Sequence, residues 1–397
     1  MAIKSMEYKG LFKNTPIKIP KGSMKVLYII DSLKAYGAEK SLALLASSFK
    51  DVEPVFISLN SNLELQPFLE SKGIKVYSGI EKDAKSKKNL LKKITKIVKK
   101  EKPSIIHSTL FKSDSISRNL KRKFPEIILV GSLVSNSYSK NRYKTLSIFS
   151  KLKLFTTQMQ DRFSVRKVDH FISNSQAIVE SNSRALRIPG HKINIIHRGR
   201  SLPKINAGDK TKLKECFQDK KVFITVGRLC KNKGQMDLVK AFKKMDLRAL
   251  NLALLIVGDG PDYKSLKAEI ESSGLEDHIE LMGYRKDVDF LYQLSDYFIF
   301  PSYFEGLPGA LIEAIMAKIP CLVSDIPENR ECFPEGGGVY FKAGDIQGIK
   351  NKIEESLKIE NWEERVDSNY KFAVNSFSLD LAAERYEEFY FDIVKPR

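Results

Sequence analysis

Short apolar runs punctuate this chain from residue 25 to residue 341, and between them apolar positions recur every three or four residues. Strands buried on both faces read as unbroken apolar runs, whereas an amphipathic helix repeats its apolar positions with a period near 3.6. The runs predict strands at 25–30, 55–59, 75–77, 105–108, 128–133, 170–173 and 194–196 in the first half. In the second half they predict strands at 222–226, 254–257, 279–282, 297–300, 321–324 and 339–341. Strands alternating with helical stretches specify parallel sheets covered on each side, here as two α/β units rather than one long sheet. The boundary is expected within 201–220, where Pro203 and Gly208 precede a mixed-charge helical stretch, giving domains at 24–205 and 206–376. A last helix is predicted over 379–394, with Ala382, Tyr386, Phe389, Tyr390 and Ile393 at helical spacing. The segment 377–397 is expected to pack back on the first domain. Residues 1–23 carry lysines and two prolines but no apolar run, so they are expected to form a flexible extension rather than a secretory signal.

Length agrees with this division, because 397 residues exceed what one hydrophobic core usually organises. Hydrophobic residues make up 42% and charged residues 29%, the balance of a folded water-soluble chain. No stretch approaches the roughly 20 apolar residues that span a bilayer, so a cytoplasmic location is expected. The cysteines Cys216, Cys230, Cys321 and Cys332 form no CxxC pair and have no histidine pattern beside them, which favours reduced structural thiols over a zinc site. Net charge is +19, which favours anionic partners: nucleic acid, acidic lipid or phosphorylated ligands. No nucleic-acid-binding motif is present, so no nucleic-acid partner is expected. The positive charge gathers at 85–102 and 140–167, which points to a surface.

Candidate chemistry lies mainly in the second half. The strand at 222–226 runs into Gly227-Arg228-Leu229, followed by Lys231, Lys233 and Gly234. Doubly wound sheets bind ligands at strand ends, and a planar Arg fork with a Lys point charge suits a diphosphate. The same loop also reads as solvated basic residues. After the strand at 254–257 comes Gly258-Asp259-Gly260-Pro261, which lacks the third glycine of a dinucleotide fingerprint. It reads either as a plain strand-turn-helix or as support for the site. The strand at 297–300 leads into Glu305-Gly306-Leu307-Pro308-Gly309 and a helix beginning near Ala310, whose exposed amides could hold an anion. Glu305 and Glu313 would be roughly 12 Å apart along a continuous helix. That exceeds the separation of a glycosidase carboxylate pair and suits two ends of one extended ligand. A surface glutamate and a cap residue are the plainer reading.

The segments VGRLCKNKG (226–234), LLIVGDGP (254–261), LMGYRKDV (281–288) and FEGLPGALIEAIMAKIPCLVSD (304–325) occur in this order. Together they resemble the retaining GT-B glycosyltransferases of the glycosyltransferase family 4 type, the group 1 glycosyl transferases. The resemblance implies two Rossmann-like domains with parallel sheets facing across a cleft. It implies Glu305 beside the donor sugar, Glu313 on the nucleotide ribose, and Arg228 and Lys233 on the leaving diphosphate. Gly227 and Gly306-Leu307-Pro308-Gly309 line the donor, and Gly283-Tyr284-Arg285 frames the base. It further implies no metal and no cofactor, with a nucleotide sugar as co-substrate, UDP rather than GDP. In the first half, Asp31-Ser32-Leu33 and Tyr36-Gly37-Ala38-Glu39-Lys40 are similar to the family's first strand and glycine-rich loop, with Gly37 left to approach the donor phosphate. The family's His-x-His reads His107-Ser108-Thr109 here, and a later histidine segment reads Val134-Ser135-Asn136. Thus His107, Thr109 and Asn136 are the acceptor-side candidates, with a packed strand histidine an equal reading of His107.

The basic segment at 85–102 carries Leu90, Leu91, Ile94, Ile97 and Val98 on one helical face, which could meet an anionic membrane or pack on the first sheet. The segment 138–168, with Tyr143, Phe149, Phe155 and Phe163 among basic residues, is the better lipid-contact candidate. Family resemblance implies a glycan or lipid-linked acceptor, and hence a peripheral place at the inner face of a membrane. Three other readings stay open: a nucleotide-sugar epimerase or a phosphorylase of the same architecture, and a non-catalytic nucleotide-sugar-binding protein.

Overall fold

A computed structural model describes residues 24–34, 37–61, 63–82, 84, 86–139, 142–143, 146–203, 217 and 220–395. The extension expected at 1–23, Tyr36, Cys216 and most of the expected boundary segment lie outside these residues.

Every predicted apolar run overlaps a strand, with Leu59 and Ile196 falling one residue past the strand ends. The first sheet contains β1 (Met24–Ile30), β2 (Val52–Ser58), β3 (Lys75–Tyr77), β4 (Ile105–Thr109), β5 (Ile128–Leu133), β6 (His170–Ser173) and β7 (Ile193–Ile195). The second contains β8 (Lys221–Val226), β9 (Leu252–Val257), β10 (Ile279–Gly283), β11 (Tyr297–Phe300), β12 (Cys321–Ser324) and β13 (Val339–Phe341). Strand orders are β3-β2-β1-β4-β5-β6-β7 and β10-β9-β8-β11-β12-β13, with parallel pairing throughout. Each sheet is buried on both faces. In β1, Val26, Tyr28 and Ile30 enter one core while Leu27 and Ile29 enter the other; in β9, Ala253, Leu255 and Val257 oppose Leu252, Leu254 and Ile256. The order of strands reverses direction between β1 and β4 and between β8 and β11. Crevices open beyond the carboxyl ends of such strand pairs, and this decides where a ligand can sit.

The helix Lys87–Glu101 buries Leu90, Ile94 and Val98 in the first domain, so its apolar stripe faces the sheet. It ends on Glu101, whose carboxylate meets Lys25 Nζ at 3.0 Å, Lys75 Nζ at 2.6 Å and the Tyr77 hydroxyl at 2.5 Å. Burial pushes the Glu101 carboxyl up, but Lys75, Tyr77 and Lys25 outweigh it and bring its pKa down to about 2. A carboxyl lowered in this way stabilises the fold above its unfolded pKa and loses that contribution as pH falls toward its folded value. Glu101 should therefore contribute stability at neutral pH that vanishes between about pH 4.5 and 2. Urea titrations of wild type and Glu101→Gln should differ widely at pH 7 and converge near pH 2.

The helix Leu379–Val394 buries Ala382, Ala383, Tyr386 and Tyr390 in a core of the first domain. Glu387 accepts hydrogen bonds from the backbone amides of Lys50, Asp51 and Val52 at 2.8, 2.7 and 2.9 Å, tying this helix to the start of β2. The preceding helix, Trp362–Phe377, contributes Ala373 and Phe377 to the second domain. The chain therefore crosses between domains twice, and the crossings touch: Arg200 N donates to Phe377 O at 2.7 Å and Leu379 N to Arg200 O at 3.0 Å. Gly199 is required there, since a Cβ would lie 2.5 Å from Ser378 O.

Candidate active site

The carboxyl ends of β8 and β11 face the start of the helix Gly37–Ala46 across a cavity of about 580 Å³ between the domains. Gly37, Gly227, Arg228, Lys233, Glu305, Gly306, Leu307, Pro308, Gly309 and Glu313 all line it. Ten of the expected site residues, drawn from three separate stretches of chain, thus share one cleft.

Backbone contacts set the loop that carries Arg228. Gly227 N donates to Val257 O and Leu229 N to Asp259 O, both at 3.0 Å, while Asp262 N returns to Leu229 O at 3.0 Å. The two glycines of Gly258-Asp259-Gly260 permit this approach: a Cβ on Gly258 would lie 1.9 Å from Gly227 O, and one on Gly260 would lie 2.2 Å from Leu229 O. The Gly258 φ of +143° also favours glycine. This turn is a template for the Arg228 loop. Pro261 lies two residues ahead of the helix Tyr263–Ser272.

Lys233 closes a short 3₁₀ turn, Lys231–Lys233, and Gly234 follows at φ +71° with its α-carbon pressed against Pro301. The ammonium group reaches both carboxylate oxygens of Glu305, at 2.5 and 2.7 Å, and lies 5.8 Å above the Phe300 ring. Glu305 is 9% exposed, so Lys233 serves as its counter-ion as well as facing the cleft. Gly306 fits beneath the first domain: Ser175 Oγ donates to its carbonyl at 3.1 Å, and a Cβ there would meet Val134 O.

The helix Gly309–Met316 begins against an arginine that the sequence reading did not single out. A Cβ on Gly309 would lie 2.0 Å from the Arg200 guanidinium, whose Nε pairs with Glu313 at 3.2 Å. Burial and the neighbouring Arg198 charge draw the Arg200 pKa down, with Glu313 opposing them. Arg198 lines the same cavity. The available signal was Arg198-Gly199-Arg200 just past the final strand of the first sheet, a strand end rich in positive charge. Helical separation did not apply to Glu305 and Glu313, because Glu305 precedes the helix on its loop.

Five expected residues lie away from the cavity wall. His107 is fully buried: its Nδ1 meets the Tyr390 hydroxyl at 2.5 Å, its Nε2 meets Ser132 Oγ at 2.7 Å, and its ring stacks on Tyr386. Burial, aided by the Arg198 charge, holds its pKa well below the usual histidine range, leaving it neutral. Of the two readings of His107, this burial and these partners fit the packed strand histidine. Its replacement by alanine would strand two buried hydroxyl partners and should cost about 2–4 kcal/mol in urea unfolding. Thr109, also fully buried, donates to Ser132 Oγ at 2.9 Å. Asn136 joins the domains instead, its Nδ2 donating to Glu328 at 3.3 Å. Tyr284 is 62% exposed beyond β10, and Arg285 is engaged with Asp287 at 2.6 and 2.8 Å.

Residues 209–371 match the family model described as glycosyl transferases group 1. The UDP-Gal:alpha-D-GlcNAc-diphosphoundecaprenol alpha-1,3-galactosyltransferase of Escherichia coli is 28% identical over 326 residues, covering 79% of this chain and 80% of that protein. The capsular polysaccharide biosynthesis glycosyltransferase CapH of Staphylococcus aureus is likewise 28% identical, covering 80% of this chain and 85% of its own length. Among solved structures, HepE of Anabaena in complex with UDP and glucose superposes with a TM-score of 0.80 at 20% identity, over 93% of this chain and all of that one. The architecture is that of GT-B glycosyltransferases.

Proposed function

From the premise that this chain is a group 1 glycosyltransferase of GT-B architecture, we propose that it moves a sugar from a UDP-sugar to a lipid-linked or capsular glycan acceptor, with retention and without a metal. The observation that carries this reading is the convergence of Arg228, Lys233, Glu305, Glu313 and the start of the helix Gly309–Met316 in one cleft. Arg228, Lys233 and the amides at Gly306–Gly309 would hold the donor diphosphate. As the bond from sugar to phosphate opens, negative charge grows on the leaving phosphate. Fixed cations and amide dipoles stabilise that growing charge more than the ground state, and this difference supplies rate. Glu305 holds Lys233 in place at the sugar end; Glu313, oriented by Arg200, would accept the ribose hydroxyls. The E. coli relative supports a lipid diphosphate acceptor by its name, and the HepE complexes support UDP. Retention follows the family resemblance.

A thermal-shift screen of nucleotide sugars, followed by product analysis, tests the reaction. A UDP-sugar should stabilise the protein, and the product linkage should keep the donor's anomeric configuration by NMR. EDTA should leave turnover unchanged; loss of activity restored by a divalent cation would refute the metal-free reading.

A lipid acceptor has to be met at a membrane, and one surface suits the task. Among the described residues no helix is long and apolar enough to cross a bilayer. The helix Ile148–Ser164, however, buries only Leu154 and Asp161. Ile148 and Phe149 are 82% and 87% exposed, with Leu152, Phe155 and Phe163 also exposed beside Lys151, Lys153 and Arg162. Apolar residues among cations bind anionic interfaces by burial and by charge. Wild type should cosediment with phosphatidylglycerol vesicles and far less with phosphatidylcholine. A Phe149→Glu, Phe155→Glu variant should stay in the supernatant, with its urea midpoint unchanged; equal binding by both proteins would refute this contact.

A further inference from the structure

Two arginines flank Gly199 at the seam between the domains, and their surroundings differ. Arg200 has Glu313 as counter-ion. Arg198 is 2% exposed, and the hydrogen bonds of its fork go to neutral acceptors. Nη1 donates to Ala38 O at 3.0 Å, and Nη2 donates to Ser132 Oγ at 3.0 Å and Thr109 Oγ1 at 3.3 Å. Its Nε is buried without a partner. Glu39, whose carboxylate feels the Arg198 charge, accepts a hydrogen bond from Ser32 Oγ at 3.2 Å instead. Among the described residues no carboxylate forms an ion pair with Arg198. A guanidinium withdrawn from water is costly unless an anion compensates it, so a buried one with neutral partners leaves its counter-charge to be supplied.

The cavity shows where that charge would come from. Arg198 lines it beside Gly37, Ala38, Lys40 and Ser41, at the start of a ten-residue helix whose first amides lack partners within the helix. Five cations line the cavity, namely Lys40, Arg198, Arg200, Arg228 and Lys233, against two carboxylates, Glu305 and Glu313. The pyrophosphate of a nucleotide sugar carries two negative charges, fewer than this excess of three. We propose that Arg198 is the counter-ion of a phosphate-type group on a ligand, seated on the first-domain wall between its guanidinium and the opening turn of the helix Gly37–Ala46. The inference rests on the cleft being a transferase site and adds a binding residue to it. The phosphate belongs either to the donor diphosphate or to a phosphate-linked acceptor.

Arg198→Gln keeps a hydrogen-bonding side chain among Ala38, Thr109 and Ser132 while removing the charge; Arg198→Lys keeps the charge. Calorimetry with UDP and with inorganic pyrophosphate on the full chain, together with the KM for a diphosphate-linked lipid analogue, separates the sources. Removing one partner of a buried charge pair should weaken the ligand about tenfold or more, whereas the lysine variant should stay within about threefold of wild type. Weaker UDP and pyrophosphate binding in Arg198→Gln would assign the donor. A raised acceptor KM with unchanged UDP affinity would assign the acceptor. Wild-type values for all three ligands in a folded Arg198→Gln protein, its melting temperature alone lowered, would overturn the proposal in favour of a purely structural arginine. If Arg198→Gln does not fold, Arg198→Met is measured in the same way, and wild-type affinities in it overturn the proposal equally. Failure of wild type to bind UDP would sink the nucleotide-sugar reading instead, while pyrophosphate would still report on Arg198.

Discussion

Replacing Arg228 with alanine should lower turnover by about 10²–10³-fold, the cost of removing one preorganised group from a developing charge. Arg228 is exposed at the cleft, and substitutions at exposed sites usually move stability by less than about 0.5 kcal/mol. The loss should therefore appear in kcat while the urea midpoint stays put. Near-normal kcat in a folded Arg228→Ala protein would remove this residue from the chemistry. Lys233→Ala should behave differently, because it also leaves the buried Glu305 carboxylate without its cation. It should lose stability together with activity.

Gly258→Ala should have an effect of similar size without touching a ligand. The added carbon would fall 1.9 Å from Gly227 O, so the loop bearing Arg228 must move. A displacement of about 1 Å at a positioning group can cost roughly 10²-fold in rate. Backbone strain at this φ should add about 1–3 kcal/mol of destabilisation. Gly274→Ala is the control: its φ is also positive, at +62°, but nothing lies within 4 Å of the new carbon. That variant should lose about 1 kcal/mol of stability and no activity. The double variant Arg228→Ala, Gly258→Ala should be barely slower than Arg228→Ala alone, because residues that act as a unit are not additive. Independent, multiplying losses would show that Gly258 acts by another route.

The parts of this molecule that depend on periodicity were legible before any coordinates. Apolar runs located all thirteen strands of the described residues, because strands covered on both faces must be apolar throughout. Strand ends were less clear: β2 begins at Val52, three residues earlier than its apolar run. Glu53 and Pro54 hide that start, and Pro54 is tolerated because β3 pairs only with Val55–Ile57. In the site, the second-domain residues could be read because strand, glycine turn and helix follow one another closely in sequence. Arg198 and Arg200 escaped because their partners, at Ala38, Ser132 and Glu313, lie far away along the chain. His107 carried two equal readings for the opposite reason. A motif position marked it for chemistry, while Tyr390, 283 residues later, had already claimed its ring.

Since Arg200 and Ser378 are bridged side by side, the two halves of the enzyme share a pair of adjacent tethers. Paired tethers behave as a door hinge: they allow a swing about the line joining them and resist a twist. Clasps that such a swing would strain include Glu331 on the amides of Gln176 and Ala177, and Asn136 on Glu328. A backbone cut between Pro203 and Phe217 would sever only one tether. The nicked enzyme should still travel as a single particle on gel filtration.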